Sequence, residues 1–321
     1  MFQKYILNNR QNIVGSICDL ITFPSISEET NNSHFPFGKA CSDCLKYFLD
    51  LANSLGFKTK NVDGYCGWAE FGEGDELIGI IGHLDVVPAK EEDWTYSPFV
   101  PTIANNCIYG RGAIDDKGPV IASLYAMKTV MNYYEENNLK FNKRVRLIVG
   151  LNEEKDWKCI NYYKLNEELP TMGFSPDADF PCIYAEKGIF SAKVQDILNL
   201  GDDVKIIAVD CKNNAINVVP KYASIIIEYY SEEAKNRFMN LPNIQTTIID
   251  NKTLKLESYG ISAHAAYPES GENAITKLLK SLPENDFVKV LDENGFFEII
   301  SPKYLGGETT VDETGNLTSN I

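Results

Sequence analysis

Two short apolar runs constrain the fold of this chain more than any other feature. LIGIIG, residues 77–82, and RVRLIVGL, residues 144–151, are far shorter than the roughly 18 apolar residues that cross a bilayer, and they suit strands covered on both faces. Residues 40–55 and 118–134 carry apolar positions at helical spacing. Because strands alternate with helices, the sequence predicts an α/β domain with a mostly parallel, layered sheet.

The periodicity changes in the second half of the chain, where strand-like segments alternate more regularly with short helices. We therefore predict an α+β module after a boundary at 187–190, which divides the chain into residues 1–188 and 189–321. The segments that carry this pattern are strands at 223–230 and 253–259 and helices near 231–239 and 271–281.

The charge balance argues against several classes of partner. The chain has 45 Asp and Glu but only 30 Lys and Arg, which gives a formal net charge of −15. Nucleic acids and anionic membrane surfaces both attract basic residues, so neither is an expected partner. Eight cysteines are spread along the chain, and its first residues lack the apolar core of a signal peptide. We therefore expect a cytoplasmic protein with reduced thiols.

Acidic residues and histidine concentrate at four places in the first part of the chain. Two places follow the predicted strands, one precedes a predicted helix and one lies in a turn-like segment. Taken alone, each has an ordinary explanation: a structural hydrogen bond of a buried histidine, helix N-capping, a solvated charge pair or a turn. The residues are His83 with Asp85, Asp115 with Asp116, Glu153 with Glu154, and Asp177 with Asp179.

Taken together, these clusters indicate a metal site. Ligand sites of α/β folds lie at the carboxyl ends of strands, so the clusters are expected along one edge of the sheet. Crowded carboxylates raise the pKa values of one another unless cations neutralise them. A set of His and carboxylate ligands suits Zn²⁺, Mn²⁺ or Co²⁺, and two cations that share a bridging carboxylate are an arrangement used for hydrolysis.

The order of these motifs resembles that of the M20 metallopeptidases. GHLDVVP, W-x-x-x-PF, YGRG-x-x-DDKGP, an EE pair and FSPDADFP-x-x-x-AEKG follow one another, and the resemblance extends from about Pro24 to about Ala274. FSPDADFP and DDKGP favour the dipeptidase V branch, the PepV-like Xaa-His dipeptidases, over the desuccinylase and deacetylase branches. The resemblance implies a zinc-peptidase catalytic domain of α/β fold into which an α+β lid domain is inserted.

The resemblance also implies a role for each clustered residue. The implied metal ligands are His83 and Asp177 at the first metal, Asp115 as the bridging carboxylate, and Glu154 at the second metal. Glu153 is the implied general base, and Asp85 is the implied orienter of His83. In this family the peptide bond that follows the bridging carboxylate, here Asp115–Asp116, is often cis.

The lid domain supplies the implied substrate contacts. His264, in ISAHAAYPESGENA, matches the lid histidine that polarises the scissile carbonyl and stabilises the oxyanion. Asn217, in AINVVP, matches a lid residue near the same oxygen. His34 matches no ligand position, and Cys41-x-x-Cys44 is best explained as helix packing, since no second such pair exists.

The expected activity is metal-dependent hydrolysis of dipeptides by an activated metal-bound water. The expected cofactor is two Zn²⁺ ions, with Mn²⁺ or Co²⁺ as alternatives. In the family a C-terminal histidine completes the second metal site, but no histidine follows His264 here. The resemblance therefore implies that the second site and both domains are incomplete at the C-terminus, and that the activity is impaired.

Two alternatives stay open. One is a related M20 deacylase such as a succinyl-diaminopimelate desuccinylase, which shares the ligands and differs in its substrate pocket. The other is an inactive dipeptidase fragment. The expected partner is a small peptide substrate, and the expected assembly is a monomer or weak homodimer.

Overall fold

The chain divides into two compact units, residues 1–183 and 184–321. The boundary predicted at 187–190 lies outside the described residues, as do the AEKG motif and every residue after 283. The computed structural model describes residues 2–179, 183, 200–212, 217–265 and 267–283.

The first unit contains the two strands predicted from the apolar runs and the two helices predicted from helical spacing, together with further elements. The predicted strands at 77–82 and 144–151 correspond to β3 and β6 below, and the predicted helices at 40–55 and 118–134 to α3 and α4. In chain order the elements are α1 (Gln3–Asn8), α2 (Arg10–Ile21), α3 (Lys39–Ser54), β1 (Lys58–Val62), β2 (Cys66–Gly72), β3 (Leu77–His83), β4 (Thr102–Ala104), β5 (Cys107–Tyr109), α4 (Lys117–Glu136), β6 (Arg144–Gly150), α5 (Lys158–Asn166) and β7 (Met172–Phe174).

The main sheet of this unit is mixed, with the strand order β1-β2-β6-β3-β7. β3 pairs in parallel with β6 and β7, whereas β2 pairs antiparallel with both β1 and β6. The prediction of a layered α/β sheet is confirmed, but half of its pairings are antiparallel. For β1 and β2 the reason is the connection: only three residues, 63–65, join them, and a parallel pairing needs a crossover of a dozen or more.

Two helices cover this sheet with apolar faces. α3 packs against β1 and β2, and α4 packs against β3 and β6. Gly56, two residues after the end of α3, adopts φ +95° and lets the backbone leave the helix with little strain. The buried residues of α3 recur at helical spacing and are Cys41, Cys44, Leu45, Phe48, Leu49 and Ala52.

The described residues of the second unit form an antiparallel sheet with two helices, as the α+β pattern predicts. The strand order is β10-β11-β9-β8, and every pairing is antiparallel. Its core joins strand residues such as Ile227 and Leu256 to helix residues such as Phe238 and Leu278. The elements are β8 (Val204–Asp210), β9 (Tyr222–Tyr229), α6 (Glu232–Met239), β10 (Gln245–Ile248), β11 (Thr253–Tyr259) and α7 (Ala274–Ser281). Across both units, none of the helices described is long and apolar enough to span a membrane.

Candidate metal centre

The parallel part of the main sheet brings the predicted ligands to one edge. His83 is the last residue of β3 and lies opposite Gly150, the last residue of the neighbouring β6. Glu153 and Glu154 follow β6 within four residues, and Asp177 follows β7, the other neighbour of β3, within three. Because parallel strands end at the same edge, these side chains meet there.

Side-chain distances show that the residues converge on the His83 ring. Nε2 of His83 lies 2.9 Å from Asp115 Oδ1, 3.3 Å from Asp177 Oδ2 and 3.9 Å from Glu153 Oε2. The His83 side chain is only 1% exposed, so this nitrogen faces the cluster and not bulk water.

Among the described residues, two overlapping sets of ligand atoms could each hold a metal ion. The first set is His83, Asp115 and Glu154, and the second is His83, Glu153 and Asp177. Within each set the ligand atoms lie within 4.8 Å of one another. All four predicted ligands and the predicted base are therefore brought together. Asp179, by contrast, is exposed and belongs to neither set.

The neighbours of His83 assign its tautomer. Nδ1 lies 2.9 Å from the backbone carbonyl oxygen of Asp85 and 3.5 Å from its carboxylate Oδ1. A carbonyl oxygen only accepts, so Nδ1 carries the proton and donates it there, which directs the lone pair of the neutral ring to Nε2. The ring is thus fixed mainly by the backbone of Asp85, and its carboxylate is the more distant partner.

The electrostatics of His83 fit a bound cation. Burial lowers the pKa of His83, but hydrogen bonds with Asp115, Asp177 and Asp85 together raise the pKa by a larger amount. The net shift of the pKa is therefore strongly upward. The carboxylates therefore favour a positive charge at Nε2, which a proton supplies when no metal is bound. The hydrogen bond with His83 in turn lowers the pKa of Asp115.

Three other carboxylates of the cluster have raised pKa values, because the charge on His83 offsets only part of the effect of burial and mutual repulsion. Burial and the neighbouring Asp115 raise the pKa of Glu154 to about 7. Burial and the carboxylates around it also raise the pKa of Glu153. Asp116 is fully buried, its pKa is raised to about 8 mainly by burial, and its Oδ1 lacks a hydrogen-bond partner among the described residues. Imidazole and carboxylate donors in this setting fit divalent Zn²⁺, Mn²⁺ or Co²⁺.

Asp116 precedes α4, but its side chain does not cap the helix. Its Oδ2 instead accepts a hydrogen bond of 3.0 Å from the backbone N–H of His83, which ties the end of β3 to the start of α4. The peptide bond between Asp115 and Asp116 is cis.

Three buried residues that shape the site have supporting roles that the sequence analysis missed or defined incompletely. Asp85 accepts backbone hydrogen bonds from Glu153 at Oδ1 and from Glu154 at Oδ2, each of 3.1 Å. Asn152 donates to Ser27 and accepts from the backbone of Lys158, which closes the loop around the Glu pair.

Lys117 is the third of these residues. Its Nζ is completely buried and donates to the carbonyls of Leu20 and Phe23 at 3.0 and 2.7 Å, at the end of α2. A signal for it exists in the sequence, because a lysine in the first turn of a helix opposes the helix dipole and needs another reason to be there.

The two predicted lid residues lie beside each other in the second unit. Val218 and His264 form an antiparallel β-bridge, and the backbone N–H of Ala265 donates to the carbonyl of Asn217 at 2.8 Å. The side chains of Asn217 and His264 are both exposed. In the first unit His34 is exposed as well, whereas Cys41 is buried in the helix core.

Comparison with known proteins identifies the family. The family model described as "Peptidase family M20/M25/M40" matches residues 79–295, which are more than half of the chain. The chain belongs to this family.

Curated relatives carry dipeptidase names. The chain is 38% identical to "Putative dipeptidase YtjP" of Bacillus subtilis (strain 168) over 313 residues, which are 94% of this chain and 65% of that protein. It is 33% identical to a "Putative dipeptidase" of Staphylococcus epidermidis in an alignment of 339 positions, gaps included, that covers 100% of this chain and 71% of that protein. The chain thus spans about two thirds of the length of these relatives. Among solved structures, human carnosine dipeptidase 1 is 22% identical with a TM-score of 0.43, over 55% of this chain and 40% of its own.

Proposed function

We propose that this protein is a metal-dependent dipeptidase. The observation that carries the proposal is the convergence of Asp115, Asp177 and Glu153 on Nε2 of a buried His83. Membership of the M20/M25/M40 peptidases and two relatives with dipeptidase names support the same reaction. The finer assignment, preference for Xaa-His dipeptides as in the PepV-like branch, belongs to this proposal.

In this proposal two divalent cations occupy the cluster. His83 and Asp177 would hold the first cation, Glu154 would hold the second, and Asp115 would be the carboxylate available to both. The contacts of His83 Nε2 with Asp115 at 2.9 Å and with Asp177 at 3.3 Å support the first group, and the presence of Asp115 and Glu154 in one candidate set supports the second. When bound, such cations polarise a peptide carbonyl and make a water molecule acidic enough to attack it. Zn²⁺ is the first candidate, and Mn²⁺ and Co²⁺ suit the same donors.

Glu153 is the proposed general base. It would accept a proton from the attacking water and pass it to the leaving amine, which requires a carboxylate that can take up a proton near neutral pH. Burial and the surrounding carboxylates raise its pKa toward that range. Asp85 positions it, because the buried Asp85 carboxylate accepts a hydrogen bond from its backbone N–H.

His264 and Asn217 are the proposed substrate contacts in the second unit. His264 would donate a hydrogen bond to the oxygen of the scissile carbonyl as negative charge develops there. Their adjacent positions on paired segments support a joint role at one oxygen atom. The cytoplasmic location and the monomeric or weakly dimeric state expected from the sequence stay predictions.

The two neighbouring glutamates provide a matched test of this mechanism. We would measure dipeptide hydrolysis and count bound Zn²⁺ or Mn²⁺ for the wild-type chain, Glu153→Gln and Glu154→Gln. Glu153→Gln should lose roughly 10²- to 10⁴-fold in kcat because a general base is removed, while the bound metal is retained. Glu154→Gln should bind less metal.

Several outcomes would contradict the proposal. Retained turnover by Glu153→Gln would exclude that residue as the base. Hydrolysis of N-succinyl amino acids without hydrolysis of Xaa-His dipeptides would identify a deacylase instead. Two bound cations without turnover of either substrate would indicate a non-catalytic member of the family.

A further inference from the structure

The segment Phe23–Ser27, which follows α2, contacts the parts of the chain that carry the metal centre, and the proposed mechanism gives it no role. Two serines in it are buried, Ser25 at 0% exposure and Ser27 at 1%. A buried hydroxyl without a hydrogen-bond partner is costly, so the partners of these two groups show what the segment is built to hold.

Ser25 holds the backbone on both sides of Asp85. Its hydroxyl donates to the carbonyl of Leu84 at 2.6 Å, and its own carbonyl accepts from the N–H of Val86 at 3.0 Å. Asp85, between them, accepts from the His83 ring at its carbonyl and from the backbones of the two glutamates at its carboxylate. The position of Ser25 therefore bears on a predicted ligand and on the predicted base alike.

Ser27 contacts the loop after β6. Its hydroxyl accepts from Nδ2 of the buried Asn152 at 3.0 Å. Oδ1 of Asn152 accepts in turn from the backbone N–H of Lys158, the first residue of α5, at 3.1 Å. The segment thus connects the loop that follows β3 with the loop that carries the glutamate pair.

Lys117 anchors the start of the segment. Its Nζ donates to the carbonyls of Leu20, in the last turn of α2, and of Phe23. A positive charge is unfavourable at the N-terminus of α4, but it is favourable at the C-terminal carbonyls of α2. The stem is also confined, because a Cβ at Gly112 would lie 2.8 Å from Cδ of Lys117.

The charge of Lys117 is informative because the side chain is completely buried. Taking an ammonium out of water costs free energy that hydrogen bonds to neutral carbonyls offset only in part. Methionine could pack a stem of the same length without that cost. An ammonium at this place therefore indicates that the position of the two carbonyls, and of the segment that follows them, matters.

We infer that Ser25 and Lys117 are positioning residues of the metal centre. Lys117 ties the segment Phe23–Ser27 to the loop of the predicted bridging carboxylate, and Ser25 transmits that position to Asp85 and through it to His83. This inference rests on the proposed function, because it takes the His83 cluster to be the metal site.

Metal binding by Ser25→Ala, Lys117→Met and the double variant tests this inference. We would measure the affinity for Mn²⁺ and Co²⁺ by equilibrium dialysis, and the visible absorption of bound Co²⁺, which reports the geometry of its ligands. Each single variant should lose about 10- to 100-fold in affinity, the usual effect of removing a group that orients metal ligands, and should change the Co²⁺ spectrum. Since both residues act through one segment, the loss in the double variant should be smaller than the product of the single losses.

Two variants control for loss of stability alone. Thr129→Val in α4 removes a buried hydroxyl that donates to the carbonyl of Tyr125, as the Ser25 hydroxyl does to Leu84. Arg146→Met removes a buried positive charge from β6, four residues before the strand ends at Gly150. Urea unfolding should show that both are destabilised, while their metal affinity and Co²⁺ spectrum stay those of the wild type.

Several results would overturn the inference. Wild-type affinity and spectrum in either Ser25→Ala or Lys117→Met would show that the residue stabilises the fold without positioning the ligands. Equal losses of affinity in Thr129→Val or Arg146→Met would assign the effect to general destabilisation. Single losses that multiply in the double variant would show that the two residues do not act through one segment.

If the wild-type chain binds neither cation, the proposed metal centre fails, and amide hydrogen exchange then decides the inference without metal. The backbone N–H groups of Glu153 and Glu154 are the ones that the Asp85 carboxylate accepts. Their exchange should accelerate in Ser25→Ala and in Lys117→Met by more than the change in global unfolding free energy explains. Acceleration no greater than the global change would overturn the inference.

Discussion

Gly82 and Asp116 touch so closely that no side chain fits between them. A Cβ added at Gly82 would lie 2.4 Å from Oδ2 of Asp116 and 2.7 Å from Cγ2 of Val120. The same Oδ2 accepts the backbone N–H of His83. The absence of a side chain at Gly82 therefore allows the end of β3 and the start of α4 to meet, and this contact sets the spacing between His83 and Asp115.

Gly82→Ala should consequently damage both stability and metal binding. The added methyl group must push Asp116 and α4 away from β3, and such overpacking typically costs about 1–3 kcal/mol. Since His83 and Asp115 belong to opposite sides of this contact, the affinity for Mn²⁺ or Zn²⁺ should fall as well. Urea unfolding and metal titration measure the two effects.

Gly15→Ala is the matched control for that change. Gly15 lies in α2 with no atom within 4 Å of an added Cβ. Alanine is favoured over glycine in a helix, so this variant should gain up to about 1 kcal/mol and bind metal as the wild type does. Wild-type metal affinity in Gly82→Ala would show that the contact does not set the ligand spacing.

The second prediction concerns Asp85, whose two carboxylate oxygens hold the two neighbouring glutamates by their backbones. Asp85→Asn keeps the shape but replaces one acceptor with an NH₂ group, which would face a backbone N–H. Residues that position metal ligands typically change metal affinity or activity by about 10- to 100-fold when mutated, and we expect a loss of that size here. Equilibrium dialysis with metal analysis measures it.

Asp75→Asn controls for the change in charge, because Asp75 is exposed. It should leave metal affinity unchanged. If Asp85→Asn binds metal normally while its turnover falls, the hydrogen bonds to the Asp85 carboxylate affect only the geometry of Glu153 and not that of the ligand Glu154.

The sequence predicts the ligands of this site better than it predicts what supports them. Buried strands have recognisable apolar runs, and polar residues just after them fall at a sheet edge whatever the details of pairing. The role of Asp85 depends on something else, the alignment of β3 with β6 that brings residues 153 and 154 to its carboxylate. Periodicity within a strand carries no information about its register with a distant partner.

The short strand β7 illustrates a second limit. Its residues, Met172–Phe174, are all exposed and show no alternation of burial. It is recognisable as a strand through its pairing with β3, and it brings Asp177 to the site. Lys117 was missed for a related reason, since its hydrogen-bond partners Leu20 and Phe23 lie far away in the chain.

The third prediction concerns a buried ion pair that also depends on register. Antiparallel pairing of β2 with β6 sets Glu70 opposite Arg146. Oε2 of Glu70 accepts from Nη2 and Nε of Arg146 at 2.7 and 2.8 Å, and both side chains are less than 10% exposed. Arg144 Nη1 lies farther from the same oxygen, at 3.9 Å, so Arg146 is the hydrogen-bonded partner. Arg146 also donates to Tyr163 and stacks 4.3 Å above the ring of Trp68.

Arg146→Met should destabilise the protein by about 3–5 kcal/mol, because it leaves a buried carboxylate without its partner. The double variant with Glu70→Met should recover much of that loss, and urea unfolding of the four proteins gives the coupling. Lys39→Met, which breaks the exposed pair with Asp43, should cost at most about 1 kcal/mol. Additive losses in the double variant would argue that packing of Arg146, and not its charge, stabilises the sheet.

The last prediction concerns pH and the buried thiols. Burial is the main cause that raises the pKa of Cys66 to about 12 and that of Cys159 to about 11, from 9.0 for a free thiol. The folded protein therefore keeps protons that the unfolded chain releases above pH 9, so the stability these thiols contribute is complete below pH 9. It is lost as pH rises from 9 toward 12 for Cys66 and toward 11 for Cys159, by about 1.4 kcal/mol per pH unit for each thiol. In Cys66→Ala the unfolding free energy should fall less steeply across this pH range, by about 1.4 kcal/mol per pH unit, because one buried thiol is gone. Cys107→Ala controls for the loss of a thiol, since Cys107 is exposed. Identical slopes in Cys66→Ala and the wild type, measured by urea unfolding at each pH, would show that Cys66 ionises as readily in the folded protein as in the unfolded chain.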